Sequence, residues 1–154
     1  LCKVVTVSDT RTEETDKSGK IIRELLEERG HQISSYEIVV DEQKPIKEAV
    51  VSGCNQPDVD AVLLNGGTGI AKRDVTYEVI RGLLEKELPG FGELFRMLSY
   101  AEDIGSAAML SRAIAGTVSG TAVFSMPGSS GAVKLAMNKL ILPELGHVIS
   151  ELRK

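Results

Sequence analysis

The segment Val59-Asp60-Ala61-Val62-Leu63-Leu64-Asn65 carries no polar side chain between Ala61 and Leu64, and it runs straight into Gly66-Gly67-Thr68-Gly69. An unbroken apolar run of this length reads as a strand buried on both faces, the situation of a strand in a parallel sheet covered by helices on each side. The neighbouring segments alternate accordingly. Lys3 to Ser8 is a β-branched strand, and Asp16 or Ser18 can cap a helix that carries Ile21, Ile22, Leu25 and Leu26 and stops at Gly30. Ser34 to Val40 reads as a second strand. Pro45 suits the first turn of a second helix, whose buried face is Ile46, Ala49 and Val50 and whose end is Gly53. Val75, Val79, Leu83 and Leu84 mark a third helix, and Phe91 to Tyr100 a fourth after a break at Pro89-Gly90. A shorter segment, Ser106 to Leu110, follows, and Arg112–Val118 and Thr121–Met126 then flank Ser119-Gly120, a two-residue hairpin signal. Pro127-Gly128-Ser129-Ser130 opens a last helix, which Pro143 kinks or restarts. The expected fold class is α/β: a three-layer α/β/α sandwich, its sheet mostly parallel with one antiparallel strand, in a single domain over residues 1–154.

Composition narrows the function classes. Hydrophobic residues make up 42% of the 154, but only 4% are aromatic and Trp is absent, so Val, Ile, Leu and Ala must build the core. The net charge is -4 with Lys and Arg scattered, which argues against a nucleic-acid partner, since that needs a basic stripe. No apolar run approaches the roughly 20 residues of a membrane span and none reads as a signal peptide, so no membrane partner is expected. The chain begins at Leu1 rather than Met, and further N-terminal residues are expected before it. Cys2 and Cys54, without CxxC spacing or a nearby His, read as thiols in a reducing cytoplasm. His31 and His147, each beside a Gly, read as loop or cap residues.

The glycine loop fits neither familiar phosphate motif. No Gly-Lys is followed by Ser or Thr, and Gly67-Thr68-Gly69 lacks the third glycine of a dinucleotide fingerprint. Gly66, Gly67 and Gly69 can still bare backbone N–H groups to a ligand at the carboxyl ends of the strands. The alternative is a strand-to-helix turn with Asp74 as helix cap. The same topology brings three more strand ends to that edge: Val7 to Arg11, Val39 to Gln43, and Ser125 to Ser130. Each has its own plainer reading, with Asp9 as a turn residue, Asp41 as a residue preceding a helix and Ser129 as a cap. Carboxylates beside a phosphate cradle make sense when a cation lies between them, and Asp41 and Asp74 with phosphate oxygens and waters are a donor set for Mg²⁺. Lys72 and Arg73 either neutralise further phosphate charge or lie solvated on the loop. Phe91, Leu94, Phe95, Met97, Leu98 and Tyr100 cover too much of one helix for a single buried face, which implies subunit contacts.

These stretches together resemble the MoaB/MogA family of molybdenum cofactor biosynthesis proteins. The resemblance rests on GGTGIAKRDVTYE, VSDTR with Asp16, Ser18 and Gly19 after it, VVDEQ, LPGFGELFRMLSY, SAAMLSRAIAG and SMPGSSGAV, and it is nearer the MoaB branch. It covers essentially the whole chain. The departures are Tyr77 where the family often has Pro, and Val40 before Asp41-Glu42 where MogA-like members often have Pro. The resemblance implies a three-layer domain assembling as trimers or hexamers, which binds molybdopterin and, in active members, transfers AMP from ATP to its terminal phosphate with Mg²⁺. It carries the catalytic and metal roles onto Asp41 and Asp74. The pterin and nucleotide contacts fall on Ser8, Asp9, Gly66, Gly67, Thr68, Gly69, Ser125, Pro127, Gly128 and Ser129, with Lys72 and Arg73 for charge relief. The nucleophile would be a phosphate monoester, largely dianionic at neutral pH because its second pKa is about 6, so no general base is required. A non-catalytic pterin carrier or scaffold of the same pathway is the competing expectation. A nucleotide hydrolase sharing the fold would need a water-activating base, and none is evident in the sequence. A molybdenum-insertion enzyme of the pathway is a further expected partner.

Overall fold

A computed structural model describes residues 1–154. Six strands form one sheet in the order β2-β1-β3-β6-β5-β4. They are β1 (Cys2–Val7), β2 (Ile33–Val39), β3 (Ala61–Asn65), β4 (Lys86–Glu87), β5 (Ile114–Val118) and β6 (Thr121–Met126). β2, β1, β3 and β6 run parallel to one another, and β5 runs antiparallel to both β6 and β4. The expected mostly parallel sheet with one reversed strand is therefore the observed one. The two-residue β4 was not expected; it is too short to carry a period-2 signal.

The helices are α1 (Lys17–Glu28), α2 (Gln43–Cys54), α3 (Thr76–Leu83), α4 (Pro89–Glu102), α5 (Ser130–Ala136) and α6 (Leu142–Leu152). They cover the sheet on both sides. Alternate residues of a strand point to opposite faces. Accordingly Val4 and Leu63 join Ile22, Phe95 and Val133 in one core, while Val5, Val62 and Leu64 join Ile46, Val50 and Ile80 in the other. This double burial is why β3 has no polar residue before Asn65.

Local chemistry sets several boundaries. Asp16 caps α1 by accepting the Gly19 N–H at 3.1 Å, and Ser129 caps α5 by accepting the Ala132 N–H at 3.2 Å. Ser119 and Gly120 both take positive φ, +50° and +79°, as a tight hairpin requires. Pro89 opens α4 instead of breaking the chain before it, because a proline at the first helical position sacrifices no hydrogen bond. A π-helical turn, Met137–Ile141, joins α5 to α6 just ahead of Pro143, whose missing N–H interrupts the regular ladder. His147 departs from expectation: it lies within α6, where its ring faces Glu144 and Glu151. No helix is long and apolar enough to cross a membrane.

α4 has two apolar faces. Phe91 and Phe95 are buried, and Phe91 meets the Phe124 ring edge-on at 5.5 Å. Leu94, Met97 and Tyr100 remain outside, with Met97 57% and Tyr100 64% exposed.

Leu63 is fully buried in the middle of the sheet. Leu63→Ala is expected to lower the unfolding free energy by about 2–5 kcal/mol through lost transfer energy and a residual cavity. Urea titration measures this as a shift in midpoint with little change in slope.

Candidate functional site at the carboxyl ends of the strands

The site begins with two close approaches of backbone. Gly66, at φ +104°, lies so near the end of β1 that a Cβ would stand 2.2 Å from the Val7 carbonyl oxygen. A Cβ on Gly128 would be 3.3 Å from the Gly66 α-carbon. The loops after β1, β3 and β6 therefore meet, and only glycine permits the first contact.

A cavity of about 320 Å³ opens beside them. One wall is the glycine loop, with Gly67, Thr68, Gly69 and Asp74, and the turn Pro127-Gly128-Ser129. The opposite wall comes from α4 and the short 3-10 helix Gly105–Leu110, and includes Phe95, Ser99, Asp103, Ile104 and Ser111. This second wall was not expected from the sequence. One signal for it existed: Ser99 falls on the stripe of Phe91 and Phe95 at helical spacing, and it is a buried hydroxyl in an otherwise apolar face. The Ser111 hydroxyl oxygen is buried with no partner.

A second group of expected residues gathers on the other side of Gly67. A Cβ there, at φ +69°, would meet the Thr76 Oγ1 at 2.2 Å and Asp41 Oδ1 at 3.0 Å. A Cβ on Gly69 would lie 2.9 Å from Asp74 Oδ2. Asp41 and Asp74, 33 positions apart in the chain, thus flank glycines of one loop. Asp9 Oδ1 accepts the Asp41 N–H at 3.0 Å, and its other oxygen pairs with Arg73. Burial raises the Asp41 pKa, and the nearby Asp9 and Asp74 charges raise it further against the pull of Arg73. Asp9 is shifted the other way, by the Asp41 N–H above all and by Arg73. Asp41 Oδ1 and Thr76 Oγ1 are both buried and without hydrogen-bond partners.

The remaining expected residues divide. Ser8 caps the turn after β1, accepting the Arg11 N–H at 3.1 Å. Ser125 is fully buried in β6, its hydroxyl oxygen unpartnered. Lys72 is exposed. Asp74 does not cap α3. Its Oδ2 accepts the Ala71 N–H at 3.0 Å, because the loop folds back over it, and the cap position falls to Val75.

Two arginines that the sequence reading gave no role brace the loops. Arg112 donates to the Gly69 carbonyl and to the Asp74 carbonyl, each at 2.9 Å, and pairs with Glu78. Arg11 reaches the Gly128 carbonyl at 2.9 Å and Asn65 Oδ1 at 3.3 Å. Beneath Arg11, the buried Asp16 accepts from Thr6 at 2.6 Å and from Tyr36 at 2.5 Å. Burial would raise the Asp16 pKa, but these bonds and the Gly19 N–H hold it below the ordinary range.

A doubly covered, mostly parallel sheet with a glycine-lined cavity at its carboxyl edge defines an α/β protein built to take a small molecule. Residues 3–147 match the model of the family described as "probable molybdopterin binding domain". The chain belongs to this family of molybdenum cofactor biosynthesis proteins, on the MoaB side, and its role lies in that pathway. It is 69% identical over 153 residues to the molybdenum cofactor biosynthesis protein B of Bacillus subtilis, covering 99% of this chain and 90% of that one. The protein of the same name from Bacillus cereus is 67% identical over 153 residues, with the same 99% and 90% coverage. A crystal structure of a molybdenum cofactor biosynthesis protein B superposes with a TM-score of 0.96 at 68% identity, covering 99% of this chain and 94% of that one. The tungsten cofactor synthesizing protein MoaB from Pyrococcus furiosus gives 0.84 at 40% identity, with 99% and 96% covered.

The raised Asp41 pKa has a signed consequence. Ionised Asp41 opposes folding above its folded-state pKa, and the penalty vanishes once the carboxyl is protonated in both states. Asp41→Asn is therefore expected to raise the melting temperature at pH 7, and the gain should disappear below about pH 4. Thermal melts of both proteins across that range measure it.

Proposed function

We propose that the protein transfers AMP from ATP to the terminal phosphate of molybdopterin with Mg²⁺. The observation that carries this reading is Asp41 Oδ1, a buried carboxylate oxygen without a partner, beside a loop whose other flank bears Asp74. A carboxylate in that position, pushed toward neutrality by burial and then by two further acids, is stabilised by a cation. No three His, Cys, Asp or Glu side chains form a cage here. Two carboxylates would suffice for Mg²⁺, which commonly takes one or two and completes its shell with phosphates and water. Asp41 and Asp74 would hold it, and when bound it would neutralise phosphate charge at the reacting centre.

The chain's own residues then supply alignment. The Gly67-Thr68-Gly69 backbone receives the nucleotide phosphates, and the Pro127-Gly128-Ser129 turn holds the pterin or its phosphate. Because Gly66 and Gly128 adjoin, phosphates held on the two loops are neighbours. An oxygen of the pterin phosphate attacks the α-phosphorus of ATP, the bond to the bridging oxygen breaks, and pyrophosphate leaves with that electron pair. No proton need be removed from a dianionic nucleophile. Arg73, paired with Asp9 in the free protein, would exchange that partner for phosphate. In this reading the protein works in the cytoplasm, associates with further copies of itself, and passes the adenylylated product to a molybdenum-insertion enzyme.

With ATP, Mg²⁺ and molybdopterin, pyrophosphate release should depend on the pterin. Tight pterin binding without turnover would instead mark a carrier. Asp74→Asn is expected to abolish turnover while pterin binding persists, and retained activity in that variant would exclude the metal-carboxylate model.

The outer face of α4 generates a separate expectation. Leu94, Met97 and Tyr100 should be covered by another copy, so sedimentation at micromolar concentration should show a trimer or hexamer. A monomer there would contradict it.

A further inference from the structure

Arg11 lies outside both the glycine loop and the acid cluster, yet it is tied to the turn that the pterin phosphate would use. Its Nη2 donates to the Gly128 carbonyl oxygen at 2.9 Å, and the Ser18 hydroxyl donates to the same oxygen at 2.6 Å. Two donors on one carbonyl fix the orientation of that peptide. In a planar trans peptide the carbonyl and the following N–H point in opposite directions. The Ser129 N–H is thereby aimed away from Arg11, and it is Gly128 and Ser129 that line the cavity. This N–H donates to no acceptor within the protein.

The orientation needs a holder. Gly128 has no side chain to bias its backbone, and a peptide next to glycine can turn over at little steric cost. Arg11 is itself locked, which makes it fit for the task. Its Nη1 lies 3.3 Å from Asn65 Oδ1 and 3.6 Å from Asp16 Oδ1. Asp16 is held in turn by Thr6, Tyr36 and the Gly19 N–H, so the chain of contacts is anchored in β1, β2 and α1. A Cβ on Gly128 would stand 3.4 Å from Arg11 Nη2, so the guanidinium packs directly under the turn.

We propose that Arg11 is a positioning residue for phosphate recognition: by holding the Gly128 carbonyl, with help from Ser18, it presents the Ser129 N–H to the terminal phosphate of the pterin. The inference rests on the transferase reading given above and adds to it the part of the substrate that this turn recognises. Arg11 acts through the backbone and does not touch the reacting atoms.

The test is equilibrium binding of molybdopterin and of its dephosphorylated form to wild type, Arg11→Ala and Arg11→Lys. Loss of a charge-assisted bond that fixes an anion-binding peptide should weaken molybdopterin binding in Arg11→Ala about tenfold. Affinity for the dephosphorylated pterin should not change, and Arg11→Lys, which keeps a donor, should recover part of the loss. Unaltered molybdopterin affinity in Arg11→Ala, or an equal loss for both ligands, overturns the inference and leaves the transferase reading standing. Wild-type protein that does not bind molybdopterin overturns both. Should Arg11→Ala fail to fold, Ser18→Ala removes the second donor alone. A phosphate-dependent loss of about two- to fivefold is then expected, and none would overturn the inference.

Discussion

The contact of Gly66 with the last carbonyl of β1 is the constraint on which the site depends. It forces the loop after β3 against the end of β1, and the Gly66 N–H fixes it to β6 through the Met126 carbonyl at 3.0 Å. Three strand-end loops are thereby gathered within a few ångströms of one another. A side chain at this position would separate them, and the cavity would lose the wall that carries Gly67, Thr68 and Gly69. The sheet's parallel register makes the contact possible, because β1, β3 and β6 all end at the same edge.

Two kinds of electrostatics meet around this contact. Asp16 is a buried carboxylate with its demands met by three hydrogen bonds and a nearby guanidinium, and it is held below the ordinary range. Asp41 is a partly buried carboxylate whose Oδ1 has no partner and which is pushed upward by burial and by two like charges. The first is what a structural ion looks like, since a buried charge that is fully paired holds its surroundings in one arrangement. The second is what stored strain looks like, since the cost of an unsatisfied charge persists only where the surrounding fold imposes it. The contrast separates a fully paired acid beneath the loops from an unpaired one beside them.

Legibility in the sequence followed the range of the interactions. Asp16, with Ser18 as the alternative, and Ser129 were readable as caps because a cap joins residues three apart, and Ser119-Gly120 as a hairpin because its requirement is local backbone geometry. The glycine loop and both acids could be singled out from residue type together with their places at the ends of expected strands. Arg112 could not, because its partners, Gly69 and Asp74, lie about forty positions earlier and nothing near Arg112 marks it as a brace. α4 was readable as doubly apolar, but not that its inner face also closes the cavity with Phe95 and Ser99. The alternative in which Asp74 caps α3 fails for a related reason: the local pattern allows it, but the fold of residues 70–74 gives its carboxylate a different donor.

What the sequence determined by itself is the succession of elements apart from the two-residue β4, several of their caps and turns, and the double-sided burial of β3, all consequences of side-chain period and backbone preference over a few residues. The tertiary structure alone decided that Asp41 meets Gly67, that Arg11 reaches Gly128, and that α4 faces the glycine loop. Those pairings join residues 26, 117 and about 30 positions apart. They exist only once sheet order and register bring the strand ends to one edge, and no local preference in the chain encodes a distance of that kind.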